Sequence, residues 1–254
     1  MQYDLKGKTA IVTGSTKGIG LAVVEKLVDE GANVVVTGTS KKDDTDEKIQ
    51  SYIQKGVKAI FVECDVSKPE DIDYLFDTTI KEMNGVDIIV NNAGIWLTSY
   101  IKDMDVEDFR RTLDVNLIGP FLLSKRFINY CIDNNIKGKI VNMTSQAAFH
   151  GSTSGHAHYA SSKAGLVGFT ISLAREVAPY GINVNAVAPG IVETQLVSAI
   201  VDNPERKKKY IERIPIGRVA TTEEIARIVL FLTSSQSDYM TGATIDATGG
   251  MLMR

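Results

Sequence analysis

Residues 9–20 read TAIVTGSTKGIG, and the expected fold follows from this stretch. The apolar run TAIVT at residues 9–13 has the length and composition of a buried strand, and three glycines come soon after it. Ile19, Val23 and Leu27 then recur at the spacing of an amphipathic helix. The stretch therefore predicts a strand, a glycine-rich turn and a helix, which open a strand–helix–strand unit.

Short apolar strands alternate with amphipathic helices along the rest of the chain. Further strands are predicted at residues 33–37, 58–64, 87–90, 139–143, 182–187 and 243–246. Helices are predicted up to about residue 55, from Pro69 onward, and at 106–115, 117–134, 159–178 and 222–232. Continuous apolar strands between helices indicate parallel pairing with helices on both faces. We expect an α/β, single-domain Rossmann fold: a doubly wound, seven-stranded parallel sheet with a cofactor half at 1–145 and a catalytic and substrate half at 146–254.

The composition limits the class of protein. The 254 residues are 44% hydrophobic and 23% charged, which excludes a disordered or fibrous chain. With 28 basic and 31 acidic residues, the formal charge of −3 favours neither nucleic acid nor a membrane as a partner. The two cysteines lack the spacing of a metal site, and the first residues lack a signal-peptide pattern. We therefore expect reduced, buried thiols and a cytoplasmic protein.

The glycine-rich turn has the spacing of a dinucleotide-binding loop. Gly14 allows the tight turn, Gly18 lets the main chain approach a pyrophosphate, and Gly20 permits close packing of the helix on the strand. The N-terminus of the helix would then direct free N–H groups and its positive dipole end at the phosphates. A plain strand–helix turn is the alternative, but the strand before the glycines and the helix after them favour dinucleotide binding.

The residues after the second strand indicate which dinucleotide is bound. An acidic residue there binds the ribose 2′-hydroxyl of NAD(H) and repels a 2′-phosphate. This sequence has TGTSKK at residues 37–42, and no carboxylate follows until Asp43. Two hydroxyls and three lysines favour NADP(H) over NAD(H), namely Thr39, Ser40, Lys17, Lys41 and Lys42. The alternative is that Lys41 and Lys42 are only solvated surface charges.

Tyr159 and Lys163 are the leading candidates for catalysis. They are four residues apart on a predicted helix and therefore share one face. A phenol has an ordinary pKa of about 10, and a lysine cation one turn away would lower it, so the pair could exchange a proton with a substrate oxygen. Ser145 ends the fifth predicted strand, at the sheet edge where open α/β folds bind ligands. The alternatives are a packed tyrosine and a turn hydroxyl.

These motifs, taken in order, resemble the classical short-chain dehydrogenase/reductase family. The resemblance extends from Lys8 to about Met253 and includes, in family order, Thr13-Gly14-x-x-x-Gly18-Ile19-Gly20, Asp65-Val66, Asn91-Asn92-Ala93-Gly94, Asn116, Ser145, Tyr159-x-x-x-Lys163 and Pro189-Gly190 with Thr194. It implies an NAD(P)(H)-dependent oxidoreductase that interconverts a carbonyl and a secondary alcohol by hydride transfer. It also implies a homotetramer, assembled through the helices that carry Asn116 and Tyr159 and through the last strand.

The resemblance assigns a role to each residue of the expected site. Tyr159 would be the general acid in reduction and the base in oxidation, while Lys163 would lower its pKa and hold the nicotinamide ribose. Ser145 would orient the substrate oxygen, and Asn116 would anchor a proton-relaying water, with a helix-bridging role as the alternative. The cofactor would be bound by Gly14, Thr16, Lys17, Gly18, Ile19, Gly20, Thr39, Ser40, Asp65, Val66, Asn91, Ala93, Gly94, Tyr159, Lys163, Pro189, Gly190, Val192 and Thr194.

The substrate cleft is expected to have an aromatic and polar wall. Trp96 and either His156 or His158 are placed to line it, with a packed aromatic and an ordinary loop residue as the plainer interpretations. Ser145, Gln146 and Tyr159 complete the predicted substrate pocket. Zinc needs three or four convergent ligands, and no cysteine or acidic cluster accompanies the three histidines, so no metal is expected.

The substrate itself is only weakly indicated. Residues 172–194 and 214–232 are most similar to 3-oxoacyl-[acyl-carrier-protein] reductases, so a 3-oxoacyl thioester is the first expectation. Such reductases often carry basic residues for docking the carrier protein where this chain has Tyr180 and residues 133–135. Residues 151–158 are also longer and more polar than usual. A sugar or polyol dehydrogenase, or a steroid dehydrogenase, is therefore the alternative.

Two alternatives stay open at the level of the whole chain. A nucleotide-binding regulator without catalysis is a function of a different class on this fold. Such proteins usually lack the tyrosine or the lysine, and Tyr159 and Lys163 are both present. The charged segment at 195–213 is either a solvated helix face or a lid over the cleft.

Overall fold

The described residues of the computed structural model, 3–152, 155–195 and 203–254, form a single parallel sheet flanked by helices. Its strands are β1 (Thr9–Val12), β2 (Asn33–Gly38), β3 (Ala59–Glu63), β4 (Ile88–Asn91), β5 (Lys139–Met143), β6 (Asn183–Pro189) and β7 (Thr244–Ala247). The seven strands are ordered β3-β2-β1-β4-β5-β6-β7. The predicted doubly wound Rossmann fold is confirmed.

The same described ranges contain nine α-helices, one of which is a single turn. They are α1 (Gly18–Asp29), α2 (Thr45–Gln54), α3 (Pro69–Met83), α4 (Val106–Leu113), α5 (Gly119–Asn134), α6 (Ala147–His150), α7 (Ala157–Val177), α8 (Pro204–Ile211) and α9 (Thr222–Thr233). Pro69 begins α3, and its missing N–H costs nothing there because the first N–H groups of a helix have no partner within the helix. Among the described helices, none is long and apolar enough to cross a lipid bilayer.

The chain order reverses at β1, and this reversal places the site. β1 pairs with β2 on one side and with β4 on the other, so that Val12 faces Val36 and Val90 in register. In an open parallel sheet, the loops that leave the carboxyl ends on either side of such a point diverge and leave a crevice. The glycine-rich turn after β1 lies in that crevice.

The sheet is buried on both faces because its strands are apolar at successive positions. Val34 and Val36 belong to the core on one face, where α1 and α9 pack. Val35 belongs to the core on the other face, which includes residues of α3, α5 and α7. Successive strand side chains point to opposite faces, so a run such as VVV supplies both cores at once.

The two helices predicted at 106–115 and 117–134 are one bent helical segment. A π-helical turn at Asp114–Ile118 joins α4 to α5 without a break. Single π turns insert one extra residue into the ladder and occur often at functional sites. Gly119 lies against the loop after β3, because a Cβ there would be 2.8 Å from the carbonyl oxygen of Val66. The turn therefore brings Asn116 close to the crevice.

The remaining differences from the sequence prediction concern segment ends. Most predicted strands and helices end within about two residues of the observed bounds, and the short helix α6 was not expected. The charged stretch at 203–210 contributes α8. Residues 196–202 of the predicted excursion, and residues 153–154 of the polar segment at 151–158, lie outside the described residues.

Candidate active site

A cavity of about 550 Å³ opens along the carboxyl edge of the sheet. It is lined by the glycine-rich turn, by residues that follow β2 to β6, by one face of α7 and by the end of α8. Every residue predicted for catalysis, cofactor binding or the substrate pocket lines this cavity except three, Gly20, Asn91 and Asn116. The cavity thus joins residues that are up to 237 positions apart in the sequence, from Gly14 to Met251.

The glycine-rich turn leaves no room for side chains at two of its positions. Gly14 has a φ of +61°, and a Cβ there would lie 2.9 Å from the Cα of Ala93. A Cβ on Gly20 would lie 2.5 Å from the Nδ2 of Asn92, which explains why Gly20 packs behind the cavity instead of lining it. No described side chain caps the N-terminus of α1, so its first N–H groups are free to bind an anion.

The neighbouring lysines after β2 have different surroundings. Lys42 lines the cavity together with Thr39 and Ser40. Lys41 does not line it, and its Nζ forms an ion pair with Asp46 at 2.5 Å. Lys17 lines the cavity, and its Nζ donates to Gln195 Oε1 at 3.2 Å. Two of the three expected lysines are therefore available to a ligand phosphate, and Lys41 is engaged elsewhere.

Asp65 is held by a neighbouring arginine that the sequence motifs did not single out. The Asp65 carboxylate accepts from Arg111 at 2.9 Å and from the Ser67 hydroxyl at 2.7 Å. Burial raises the pKa of Asp65, but these hydrogen bonds outweigh it and the net pKa is lowered. Arg111 comes from α4 and also lines the cavity, so the carboxylate is ionised and its charge is neutralised locally.

Asn91 lies in the sheet interior, and Asn92 takes its place at the cavity wall. The Asn91 Nδ2 donates to Asn142 Oδ1 at 2.8 Å and to Ser124 Oγ at 3.3 Å. The Asn92 Nδ2 donates to the carbonyl oxygens of Thr13 and Gly14, which ties the end of β4 to the glycine-rich turn. Successive side chains alternate between faces at the end of a strand, so only one of two adjacent asparagines can face the cavity.

Ser145, Tyr159 and Lys163 meet in the cavity. Ser145 follows β5 and lines the cavity beside Tyr159, and its hydroxyl favours a lower pKa of the Tyr159 phenol. The Lys163 Nζ donates to the carbonyl oxygen of Met143 at 2.8 Å and lies 5.8 Å from the centre of the Tyr159 ring. Only 4% of Lys163 is exposed, so a cation is held in the cavity wall one helical turn from the phenol.

The protonation of this trio is governed by burial. Burial raises the pKa of the Tyr159 phenol, and the hydrogen bond with Ser145 opposes that rise. Burial also lowers the pKa of the Lys163 ammonium to about 8. The spacing of Tyr159 and Lys163 predicts a lowered phenol pKa, whereas the net shift of that pKa in the structure is upward because desolvation is the larger effect. The phenol is therefore protonated at neutral pH.

Asn116 bridges two elements beside the trio. Its Oδ1 accepts from the Ile95 N–H at 2.9 Å, and its Nδ2 donates to the Ile95 carbonyl at 3.0 Å and to Ser162 Oγ at 3.1 Å. Ser162 in turn donates to the Tyr159 carbonyl at 2.7 Å. A Cβ on Gly94 would be 3.2 Å from the Asn116 Oδ1 and 3.6 Å from the Lys163 Nζ. Asn116 thus ties the loop after β4 to α7 through the π turn.

An aromatic stack forms one wall of the cavity. The Trp96 and His156 rings are stacked with centres 4.4 Å apart and planes at 16°. The His156 ring nitrogens are hydrogen-bonded to the hydroxyls of Thr98 at 2.9 Å and Ser152 at 3.1 Å. Burial lowers the pKa of His156, so the wall is neutral at pH 7. His158 does not line the cavity and is buried beneath it.

The family model described as enoyl-(acyl carrier protein) reductase matches residues 14–252. A 3-oxoacyl-[acyl-carrier-protein] reductase of Aquifex aeolicus is 42% identical over 254 residues, covering 99% of this chain and all of the relative. The chain belongs to the short-chain dehydrogenase/reductase family. The predicted family and enzyme class are therefore confirmed.

Solved structures of this short-chain dehydrogenase/reductase family superpose on the whole chain. One from Agrobacterium tumefaciens, assigned as a gluconate dehydrogenase, has a TM-score of 0.93 and 33% identity and covers 100% of this chain and 99% of its own. Another from that organism, assigned as a 2-deoxy-D-gluconate 3-dehydrogenase with bound NADP, has a TM-score of 0.90, 35% identity and the same coverage. The protein is therefore an oxidoreductase that interconverts a carbonyl and an alcohol with a nicotinamide dinucleotide.

No metal-binding arrangement was found among the described residues. Within residues 3–152, 155–195 and 203–254, no group of three or more His, Cys, Asp and Glu side chains is placed to hold a metal ion.

Proposed function

We propose that this short-chain dehydrogenase/reductase uses Tyr159 as the proton donor in carbonyl reduction and as the proton acceptor in alcohol oxidation. The observation that carries the proposal is that the Tyr159 phenol and the Ser145 hydroxyl line one cavity together with the buried Lys163 ammonium, which is held by the Met143 carbonyl at 2.8 Å. A substrate oxygen placed between the two hydroxyls could accept hydrogen bonds from both. Protonation at neutral pH suits the phenol to the donor role.

The cavity fits a nicotinamide dinucleotide. Gly14 and Gly20 let the glycine-rich turn pack closely against Ala93 and Asn92, where a Cβ would clash. The free N–H groups at the start of α1 suit a pyrophosphate. Asp65 and Val66 are proposed to contact the adenine, and residues 189–194 the carboxamide. When bound, the dinucleotide supplies or accepts the hydride at the substrate carbon.

The protein's own residues manage the proton. In reduction, the Tyr159 O–H bond breaks and its proton goes to the substrate oxygen as that oxygen gains negative charge. Ser145 donates a hydrogen bond to the same oxygen and orients it. The Lys163 ammonium stabilises the phenolate that remains, because opposite charges attract strongly where water is excluded. Oxidation follows the same steps in reverse.

Asn116 is proposed to support a water that relays protons to Lys163. The amide uses both of its hydrogens on Ile95 and Ser162, which is the helix-bridging alternative noted from the sequence. Its Oδ1 accepts one hydrogen bond from Ile95 and has a second lone pair available near Lys163. The proposed role is compatible with the bridge, since the two use different parts of the amide.

We propose NADP(H) as the preferred cofactor. Lys17 and Lys42 line the cavity together with two hydroxyl groups, those of Thr39 and Ser40. The carboxylate that lines the same cavity, Asp65, is paired with Arg111 and follows β3, not β2. Residues 39–42, which directly follow β2, include no acid that would repel a 2′-phosphate.

Two substrate classes are proposed, each on its own observation. A 3-oxoacyl thioester is supported by the similarity over the full chain to the Aquifex aeolicus reductase. A small sugar or polyol derivative is supported by the cavity wall, where Gln146 and His150 present polar groups and the Gln146 Oε1 is buried without a hydrogen-bond partner in the described part of the chain. A long acyl chain would leave these groups without partners, so the wall favours the small polar substrate.

We further propose a homotetramer located in the cytoplasm. The exposed apolar side chains of Phe121 on α5 and Ile171 on α7 support association between copies of the chain. Cys64 and Cys131 are buried free thiols, and burial raises the pKa of each to about 12. Unreactive thiols without a disulfide suit a reducing compartment.

The mechanism is tested by Tyr159→Phe, which removes the proton-transferring oxygen and keeps the ring. We expect kcat for carbonyl reduction to fall by about 10²- to 10⁴-fold at saturating NADPH. The readout is NADPH oxidation across a panel of 3-oxoacyl thioesters, sugars and polyols. Tyr180→Phe is the matched control, because Tyr180 is exposed at the end of α7 and should keep full activity. Undiminished turnover by Tyr159→Phe would refute the mechanism.

The pH dependence provides a second test of the same step. Because burial raises the phenol pKa, the acid form persists through neutral pH. Reduction is therefore expected to keep its rate up to about pH 10, the ordinary pKa of a phenol, and to decline only above it, whereas oxidation rises with pH. Profiles of kcat/KM in both directions check this. Oxidation that is fastest in acid would contradict it.

A further inference from the structure

The cavity holds more positive charge than a dinucleotide phosphate site requires. Among the described lining residues, the carboxylate of Asp65 is the one acid, and Arg111 pairs with it at 2.9 Å. Lys17 and Lys42 belong to the end near the glycine-rich turn. Lys163 is bound to a main-chain carbonyl beside the catalytic phenol. This assignment leaves one cation, the guanidinium of Arg213, without a function.

Arg213 lines the cavity without an acidic partner. Within the described part of the chain, no hydrogen bond or ion pair involves its guanidinium, which lies 5.8 Å from the ring centre of Tyr210. The side chain is exposed at the rim of the cavity. An arginine fixed against an aromatic ring keeps its planar fork of donors free for a carboxylate.

The main chain places Arg213 on the substrate side of the cavity. The next residue, Ile214, is buried against Ile191 and Val219, which follow β6 and precede α9. A Cβ on Gly249, after β7, would lie 2.7 Å from Ile214. The loop after β6 is tied to the catalytic strand end, because the Gln146 N–H donates to the Pro189 carbonyl at 3.0 Å. The glycine-rich turn follows β1, three strands from β6 in the sheet, and it meets the later part of the same loop, where the Lys17 Nζ donates to Gln195 Oε1 at 3.2 Å.

We propose that the substrate is a small hydroxy acid or the corresponding oxo acid, and that Arg213 binds its carboxylate. The inference rests on the proposed function and narrows its polar-substrate class to acids. The hydroxyl-bearing carbon would be placed at Ser145 and Tyr159, with the carbon chain against the ring stack of Trp96 and His156 and another hydroxyl near the unpartnered Gln146 Oε1. A guanidinium and a carboxylate form paired, charge-assisted hydrogen bonds, so an uncharged alcohol of the same length binds more weakly.

Trp96 makes this binding directly measurable. It is the single tryptophan of the sequence, and it lines the cavity stacked on His156. D-gluconate and D-glucitol are matched probes, since they differ in having a carboxylate or a hydroxymethyl group at one end. Each is titrated into the complex of the protein with NADP⁺, and tryptophan fluorescence is recorded. We expect a saturable change with gluconate and binding at least about tenfold weaker with glucitol.

Two substitutions assign the effect to Arg213. Arg213→Gln should weaken gluconate binding by about ten- to a hundredfold and leave the glucitol response and the KM for NADPH unchanged, while Arg213→Lys restores part of the binding. Lys208→Gln is the matched control, because Lys208 is an exposed cation of α8 that does not line the cavity.

Three results would overturn the inference. The first is equal binding of gluconate and glucitol, or no fluorescence response to either. The second is unchanged gluconate binding by Arg213→Gln. The third is a raised KM for NADPH in that variant, which would place Arg213 on a cofactor phosphate. The effect of Tyr159→Phe on carbonyl reduction is measured with any carbonyl substrate that the enzyme reduces and does not depend on Arg213. The proposed function can therefore stand when the preference for an acid fails.

Discussion

At the scale of single residues, Lys41 and Lys42 show how adjacent identical side chains acquire different roles. Lys41 is paired with Asp46, and both side chains are largely exposed to water. Lys42 lines the cavity instead. A surface ion pair contributes little to stability, and the pairing mainly removes Lys41 from the ligand's reach. The proposed preference for NADP(H) therefore depends on Lys42 and Lys17.

This difference predicts an asymmetric result for charge reversal. Lys42→Glu should raise the KM for NADPH by about tenfold or more and leave the KM for NADH nearly unchanged, because only NADPH carries a 2′-phosphate to be repelled. Lys41→Glu is the control and should change neither value by more than about twofold. Steady-state kinetics with both cofactors decide the matter. Equal effects of the two substitutions, or a loss of NADH binding in Lys42→Glu, would refute the assignment.

At the scale of elements, the packing of α1 on β1 depends on a missing side chain. A Cβ on Gly20 would lie 2.5 Å from the Asn92 Nδ2 and 2.7 Å from the Gly14 carbonyl. That amide nitrogen already binds the carbonyls of Thr13 and Gly14. A side chain would therefore displace the asparagine that joins β4 to the glycine-rich turn.

Two glycine substitutions should have opposite effects. Gly20→Ala is expected to destabilise the fold by about 1–3 kcal/mol through overpacking and to weaken NADPH binding. Gly168→Ala, in the middle of α7, should stabilise it by about 0.5–1 kcal/mol, because a Cβ there meets nothing within 4 Å. Urea unfolding measures both, provided that the m-value stays constant. A neutral Gly20→Ala would contradict the packing account.

At the scale of the whole molecule, one surface is more apolar than a monomer needs. Ile118, Phe121 and Ile171 are each 41% exposed, and they come from the π turn, α5 and α7. Phe121 packs edge-on against Phe169, which extends the same apolar surface along α7. Clustered apolar side chains of this size favour association between copies of a chain.

Charge on this surface should therefore disrupt the assembly. The paired change Phe121→Glu and Ile171→Glu is expected to convert a tetramer into smaller species, because each carboxylate would lose its water on association. Light scattering coupled to size exclusion measures the mass. Ile53→Glu is the control, since Ile53 is similarly exposed on α2. A wild-type monomer at micromolar concentration would refute the tetramer itself.

Much of the fold could be predicted because its strands are buried on both faces. Runs such as NVVVT can only be placed between two layers of helices, and glycines mark where strand gives way to helix. The π turn between α4 and α5 was not predictable in this way. It depends on the close approach of Gly119 to Val66, a contact between distant segments that leaves no periodic signal.

The candidate site divides along the same line. Local spacing indicates the glycine-rich turn and the Tyr159–Lys163 pair, because each lies within one turn or one helix. Arg111 and Arg213 come from helical or loop positions without a motif, so only the cavity reveals them. Which of Asn91 and Asn92 faces the cavity depends on the face of the sheet to which the last strand residue points. An error of one residue in the predicted strand end reverses that face, so the sequence could not decide between them.

The sequence by itself determined the order of strands and helices, the dinucleotide loop and the spacing of the catalytic pair, since these depend on neighbours along the chain. The tertiary structure decided the protonation of Tyr159 and Lys163, the pairing of Asp65, and the cation left for a substrate. Those properties depend on burial and on charges brought together from separate elements. Desolvation and pairing act through space, so they appear only when the sheet has assembled its carboxyl edge.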